Sequence, residues 1–528
     1  MLRHLYFSLR ALRRDRIYSG INLLGLATGM AAAMLVLLWV QDELTFDRMH
    51  HQGKNIVRVL TNWEFGGNRE WSGVTAAGLA PAAKAEAPEV QEAVRVWRFG
   101  NATFQLGAAI LEAENALIVD NAFFEVFDFP LVRSDGSTPL QTPNGILLTE
   151  SQARRFFADA DPLGKSLRFE NKIDLVVTGI MKDPPSNSSI QFSCILPWEP
   201  VANQYVRNPE QAFHWGMMNY TTWLLVRPEA DRAQLARTLT KIGARHRKDR
   251  DDATWYALQP LHQVYLDSDM LPWWSTNKGD RKTIALFGLI GLLILSIACI
   301  NYVNLATARA STRAKEVGVR KTIGAGRGEL FAQFLTESAL LIAIATFLGI
   351  LIAQAILPLF NELSGKNFNS AQLLQINTLR IIGGTAVLAL LLAGIYPALL
   401  LTRFNPAAVL KGQIFRIGSA GKNSATLLRK TLVTGQFVFS LALITGALVI
   451  SRQMTFLREA KLGYERENIF AVNFYGSDSK PQVIKTALQG KPGVAAVTMS
   501  DNNLVELGAM NGGIDWEGRP EGKEMPIW

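Results

Sequence analysis

Cysteine is almost absent from this chain. Its two thiols, Cys194 and Cys299, lie far apart, one in a polar region and one inside a long apolar run. No disulfide framework and no CxxC metal site follows from that spacing. Nucleotide-binding signatures are missing too. Gly164-Lys165-Ser166 comes nearest to a G-x4-G-K-[ST] loop, but Asp159 stands where the first glycine is needed, so the backbone cannot cradle a phosphate there. There is no H-E-x-x-H and no G-x-S-x-G elbow. His50-His51 is a pair, but adjacent side chains point apart on a helix or a strand, which disfavours a two-histidine metal site. The expectation is therefore no catalytic, cofactor-binding or metal site of the chain's own.

What the chain does have is two unlike populations of residues. Its mean hydropathy of +0.12 averages polar, tryptophan-containing stretches with nearly pure apolar runs, the mixture of a membrane protein with a large soluble part. The net charge of +9 over 528 residues does not point to nucleic acid, because the lysines and arginines cluster beside the apolar runs, as topology signals do.

Five runs of about 20 residues are long enough to cross the hydrocarbon layer. The predicted organisation is as follows. Residues 1–16 form an amphipathic helix on the cytoplasmic membrane surface, with Leu, Tyr and Phe between five arginines. The first span is 17–40, an uncleaved anchor longer than a signal-peptide core, and a large domain fills 41–280. The second span is 283–303, a cytoplasmic segment covers 304–334, and the third span is 335–357. A short outer loop at 358–380 precedes the fourth span at 381–401, a linker at 402–430 and the fifth span at 431–451. A partial second outer domain takes 452–528. Five, six and six Lys/Arg in residues 1–16, 306–330 and 403–430, against one in 358–378, place those three segments in the cytoplasm and the large domain outside. Trp39, Trp273 and Trp274 sit near outer ends of spans. In span one Gly25 and Gly29 are spaced for close helix approach; in span four Gly394 and Pro397 mark a kink.

The 41–280 region holds nine of the twelve tryptophans. Strand-like runs (56–60, 94–99, 175–180, 222–226) alternate with helical ones (76–87, 151–158, 231–245), predicting an α+β domain. Thr149 and Gln152 have capping-box spacing. An internal repeat links the two ends of the chain. Asn55-Ile56-Val57 after span one is echoed by Asn468-Ile469-Phe470 after span five. Pro88-x-Val90, which introduces a strand, is echoed by Pro492-x-Val494. The expectation is a second outer domain cut short at the chain end.

The segment between spans two and three carries the densest signal. On a helical wheel Arg309, Arg313, Glu316 and Arg320 share one face, beside a small apolar face of Ala306, Ala310, Ala314 and Val317. Gly318 is expected to interrupt the helix and Gly324-Ala325-Gly326 to end it. Spacing alone leaves a partner groove, anionic headgroups and a passive basic loop all open. Glu337, about one turn inside span three, must either reach the headgroups or pair with Arg320 or Lys321.

Asn301-Tyr302-Val303-Asn304-Leu305-Ala306-Thr307-Ala308, Arg313-Ala314-Lys315-Glu316-Val317-Gly318-Val319-Arg320-Lys321, Gly324-Ala325 and Phe334-Leu335-Thr336-Glu337-Ser338 together closely resemble FtsX/MacB-type ABC transporter permeases. LTESQARRFFADADPLGKSLRF (148–169), VVTGIMKDPPSNSSIQF (176–192) and YPALLLTRFNPAAVLKG (396–412) agree with that resemblance. It implies a permease in the bacterial inner membrane, with its N-terminus in the cytoplasm and its large domain in the periplasm. A separate cytoplasmic ATPase dimer would bind ATP, and the spans would pass its motion to the outer domain without a substrate channel. Arg309, Arg313, Lys315, Glu316, Gly318, Arg320, Lys321 and Gly324 map onto the coupling segment. Further implied partners are a second permease half or subunit, a periplasmic adaptor and membrane lipids. The outer motion would serve export or extraction of a peptide, lipoprotein, lipid-like compound or drug. The competing reading is a non-transporting scaffold of the FtsX type that controls a cell-wall hydrolase.

Overall fold

The computed structural model describes residues 16–65, 68–136, 138–205, 215, 218–246, 254–268, 271, 278–308, 317–371, 375–402, 421–460, 468–470 and 481–499. The chain divides into two compact units, Met1–Leu44 with Arg281–Tyr464 and Thr45–Asp280 with Glu465–Trp528. Helix α1 (Arg16–Leu44) opens the first. The expected surface helix of residues 1–16 lies outside the described residues but for its last position.

The second unit is organised by one 11-stranded sheet. Its strands are β1 (Ile56–Phe65), β2 (Asn68–Ser72), β3 (Val90–Leu106), β4 (Ala109–Val119), β5 (Leu131–Ser134), β6 (Gly145–Thr149), β7 (Ser166–Phe169), β8 (Ile173–Met181), β9 (Cys194–Pro197), β10 (Thr221–Val226) and β11 (Trp255–Pro260). Across the sheet they run β11-β1-β10-β3-β4-β9-β6-β8-β5, with β2 beside β1 and β7 beside both β3 and β8. The late strands β10 and β11 flank the earliest one, each antiparallel to it. The ends of the 45–280 region are therefore closed onto each other.

Side chains alternate between faces along a strand, and here both faces are covered. Ile118, Ile146 and Leu148 enter one core with Phe104, Phe156 and Phe169. Leu117, Val119 and Leu147 enter another, with Phe123, Phe127 and Trp223. That explains the unbroken apolar runs Ala116–Val119 of β4 and Ile146–Leu148 of β6, since a strand covered on both sides needs no polar alternation. Between residues 45 and 280 the longer described helices are α2 (Leu79–Glu86), α3 (Glu150–Phe157), α4 (Trp198–Tyr205) and α5 (Arg232–His246), with single helical turns at Phe123–Val126 and Leu261–Val264. Thr149 Oγ1 caps α3 by accepting from the Gln152 N–H at 3.3 Å. The reciprocal half of the expected capping box is not made: the Thr149 N–H donates instead to Ser193 O at 2.9 Å, and Gln152 Nε2 donates to Glu112 O. Sheet pairing took the donor that a free helix start would have offered.

The first unit continues with α6 (Arg281–Ala308), α7 (Arg327–Ser364), α8 (Ile376–Ala389), a π turn at Leu390–Gly394, α9 (Ile395–Thr402) and α10 (Gly421–Glu459). Among the described residues five stretches are long and apolar enough to cross a membrane: Ser19–Leu44, Arg281–Ala308, Arg327–Ser364, Ile376–Leu399 and Lys430–Glu459. Helix α7 passes through Pro358, which removes one ladder donor, and stops at Gly365 in the left-handed region with φ +66. The turn after the third span is thus shorter than the sequence suggested. It presents Lys366, whose Nζ lies 2.8 Å from both Asp42 Oδ2 and Glu43 Oε1.

Helices α1 and α6 approach closely. A Cβ on Gly29 would collide with the Ala298 Cβ, and one on Gly25 would stand 3.4 Å from Asn301 Nδ2. Leu26, Met30 and Ala33 pack there with Leu295, Ala298, Leu341 and Ala345. Helix α10 packs on α6 and keeps its apolar side chains Phe437, Leu441 and Leu448 exposed, as a helix facing hydrocarbon does.

After α10 the echo of the first domain is partial. A helix, α11 (Pro481–Leu488), stands where the repeat places one. The strand expected after Pro492 does not form: residues 494–499 carry no ladder bonds and are largely exposed. A strand is made by its neighbour, and among the described residues this stretch has none.

Candidate functional site

The segment joining α6 to α7 is described from Val317 onward. Arg309, Arg313, Lys315 and Glu316 lie outside the described residues. Residues 317–322 are helical. Val317 and Gly318 are buried in this turn, and Gly318 is itself helical; the stretch before it, where the interruption would show, lies outside the described residues. Tertiary packing overrides a local propensity cost of about 1 kcal/mol.

The stop is a Schellman motif. The Ala325 N–H donates to Arg320 O at 3.0 Å and the Gly324 N–H to Lys321 O at 3.1 Å. Gly324 adopts φ +103, a conformation that a side chain would strain. Gly326 follows in extended conformation as the N-cap of α7. The chain thus reverses within four residues, and the short helix is fixed to the start of α7.

Two basic side chains tie this corner to its surroundings. Arg320 Nη1 donates to Gln333 Oε1 of α7 at 2.7 Å. Lys321 Nζ donates to the main-chain O of Thr402, the last described residue of α9, at 2.7 Å. Burial, with Arg327 nearby, holds the Lys321 ammonium below the usual lysine range. Glu337 sits half-buried on α7, one turn beyond Gln333. On the open side Val319 and Ile323, four residues apart, are 47% and 80% exposed. An exposed aliphatic pair on a cationic helix end is suited to an apolar groove with an acidic rim.

Deeper in the bundle three helices meet at one level. The Tyr302 hydroxyl of α6 and the Ser338 hydroxyl of α7 are 3.1 Å apart and buried. A Cβ on Gly394 would stand 3.3 Å from the Ser338 Cβ. The π turn ending at Gly394 therefore touches α7 beside this pair, and Pro397 is buried just beyond it. Among the described residues no group of three His, Cys, Asp or Glu is placed to hold a metal ion.

Of the expected coupling residues, the structure brings Gly318, Arg320, Lys321 and Gly324 into one corner. The sequence reading missed Gln333, Thr402, Val319 and Ile323. The aliphatic pair had a readable signal, two apolar residues at helical spacing within a basic segment. Thr402 had none, since its contribution is a main-chain carbonyl.

The fold and this corner define a multi-pass membrane protein with a large α+β domain after its first helix. Residues 19–242 match the MacB-like periplasmic core domain, and residues 288–406 match the FtsX-like permease C-terminal domain. The chain belongs to the FtsX/MacB-type ABC transporter permeases. One relative is the macrolide export ATP-binding/permease protein MacB of Neisseria meningitidis serogroup A, 26% identical over 242 residues, which are 46% of this chain and 34% of that protein. Another is the ABC transporter permease YvrN of Bacillus subtilis, 22% identical over 68% of this chain and 88% of its own length. Among solved structures, the periplasmic region of MacB from Actinobacillus actinomycetemcomitans aligns with a TM-score of 0.29 and 17% identity, covering 38% of this chain and 88% of that one. The chain spans about a third of the length of the first of these relatives.

Proposed function

We propose that this chain is the permease subunit of an ABC transporter, and that ATP hydrolysis on a separate cytoplasmic ATPase dimer drives motion of its periplasmic part. Cargo would be exported or extracted from the outer side of the membrane; a peptide, lipoprotein, lipid-like compound or drug fits that route. The orientation rests on the loop charges: the segment bearing Arg320 and Lys321 faces the cytoplasm and the sheet unit the periplasm. A second permease half or subunit and a periplasmic adaptor complete the proposed assembly.

The observation that carries the reading is the corner at residues 317–326. One side is anchored to α7 and α9 by Arg320 and Lys321. The other offers Val319 and Ile323 to solvent. A helix end anchored behind and apolar in front can accept a push without being pulled loose. The test is Ile323→Asp in the full chain, purified with its co-expressed ATPase. A charge in the groove should lower co-purification and permease-dependent stimulation of ATP hydrolysis at least tenfold, the equivalent of about 1.4 kcal/mol. Thermal stability of the permease should not change. Undiminished stimulation would remove Ile323 from the docking surface.

A further inference from the structure

Resting on that reading, we infer that Lys321 is the positioning residue through which span four follows the cytoplasmic coupling segment. The covalent chain links this segment to α6 before it and α7 after it. Helix α9 lies some 80 residues further on, so it can feel the segment only through non-covalent contact. Lys321 Nζ supplies one, at 2.7 Å from Thr402 O.

The acceptor explains why a lysine is used. An ammonium makes a charge-assisted bond to a main-chain carbonyl and reaches it on a flexible stem. Thr402 is buried, 6% exposed, so its carbonyl is poorly served by solvent and a cationic donor is worth more there than at an exposed carbonyl. The Schellman stop places Lys321 two residues before the Ile323–Gly324 reversal, where its main chain is held by the motif. Neighbouring Arg320 reaches α7 instead. Two consecutive basic residues thus grip two different spans, and a displacement of the short helix moves both.

Span four is built to bend above this grip. Its π turn at Leu390–Gly394 begins 12 residues before Thr402. Buried Pro397 lacks the N–H that would bond back to residue 393. A wide turn followed by a missing bond is the compliant part of a helix. The rigid lever is the short α9, with Lys321 at its end. The Tyr302–Ser338 pair and Gly394 form the contact at which that lever pivots against α6 and α7.

The test places spin labels at Thr322→Cys and Leu399→Cys in the full chain and reads the distance distribution. Native Cys194 and Cys299 are buried and are replaced by Ser and Ala to keep labelling clean. With Lys321 present, one narrow distribution is expected. Lys321→Met should broaden it or add a longer population, and Lys321→Arg, which can still donate to a carbonyl, should restore it. A second label pair at Leu24→Cys and Leu289→Cys, on α1 and α6, should stay unchanged and show that the bundle remains folded. A distribution unmoved by Lys321→Met overturns the inference. With the ATPase bound, ATP should shift the Leu399 label in the Lys321 protein and not in Lys321→Met; a shift that survives Lys321→Met also overturns it. If Lys321→Met broadens the distribution yet ATP moves no label even with Lys321 present, the Lys321 link holds and the ABC-permease reading fails.

Discussion

His50 shows how one buried residue can set a pH limit. Its side chain is fully buried, edge-on to Phe127 and Phe129. Its Nδ1 accepts the Asp128 N–H at 3.0 Å, which fixes the neutral tautomer with the proton on Nε2. Burial pushes its pKa down to about 4; the Asp128 carboxylate opposes the shift, while His262 and His51 reinforce it. In the unfolded chain the ring titrates near its ordinary value of 6.5. Above that pH both states are neutral and His50 leaves stability unchanged. As the pH falls from about 6.5 to about 4, only the unfolded chain takes the proton, so stability falls, by about 3 kcal/mol in all. Urea unfolding monitored by tryptophan fluorescence across that range should show the loss, and His50→Gln, which keeps an acceptor for Asp128, should flatten it. An equal slope in His50→Gln would assign the pH dependence elsewhere. The sequence had marked the His50-His51 pair as an improbable metal site, but nothing local foretold that one ring would be walled in and its neighbour 86% exposed.

At the scale of elements, the spans and most strands were legible because burial leaves a period in the sequence. β1, β3, β8 and β10 contain the runs read as strands, and a π turn, Leu390–Gly394, lies beside the Gly394 and Pro397 read as a kink. Errors arose where a distant partner decides. Gly318 reads as a helix breaker, yet it is itself helical and buried in the described turn. Pro492 reads as a strand start, yet no neighbouring strand is present there among the described residues. Lys321 reads as a coupling residue or a partner for Glu337, and its bond to Thr402 is not readable, because its acceptor is a main-chain oxygen and every residue has one. Gly25 and Gly29 were readable only as small residues; the structure adds that α1 and α6 leave no room for a side chain at Gly29. Gly29→Leu should therefore force the pair apart and cost about 1–3 kcal/mol by overpacking. The melting temperature in detergent should drop, while the same substitution at Gly288, where an added Cβ meets nothing within 4 Å, should be nearly neutral. Equal effects at the two sites would mean that the α1–α6 seam is looser than its geometry.

At the scale of the whole molecule, the sheet unit is closed by its own strands. β1 lies between β10 and β11, and residues 45–280 supply every strand in the sheet. Three apolar clusters, built around Phe104, Phe127 and Leu239, are made from the same residues. A core of this size needs no contribution from the apolar helices to offset the entropy of ordering the chain. Residues 45–280 produced alone should therefore be soluble and monomeric and should unfold in one cooperative urea transition. Removing β11 by ending the fragment at residue 250 exposes the unpaired edge of β1 and removes Tyr256, which uncovers Leu235, Leu239 and Ile242 of α5, the residues it packs with. That fragment should aggregate or lose cooperativity. A shortened fragment as stable as the full one would show that the late strands decorate the sheet rather than close it, and a long fragment that fails to fold would show that this unit depends on the helices for its stability.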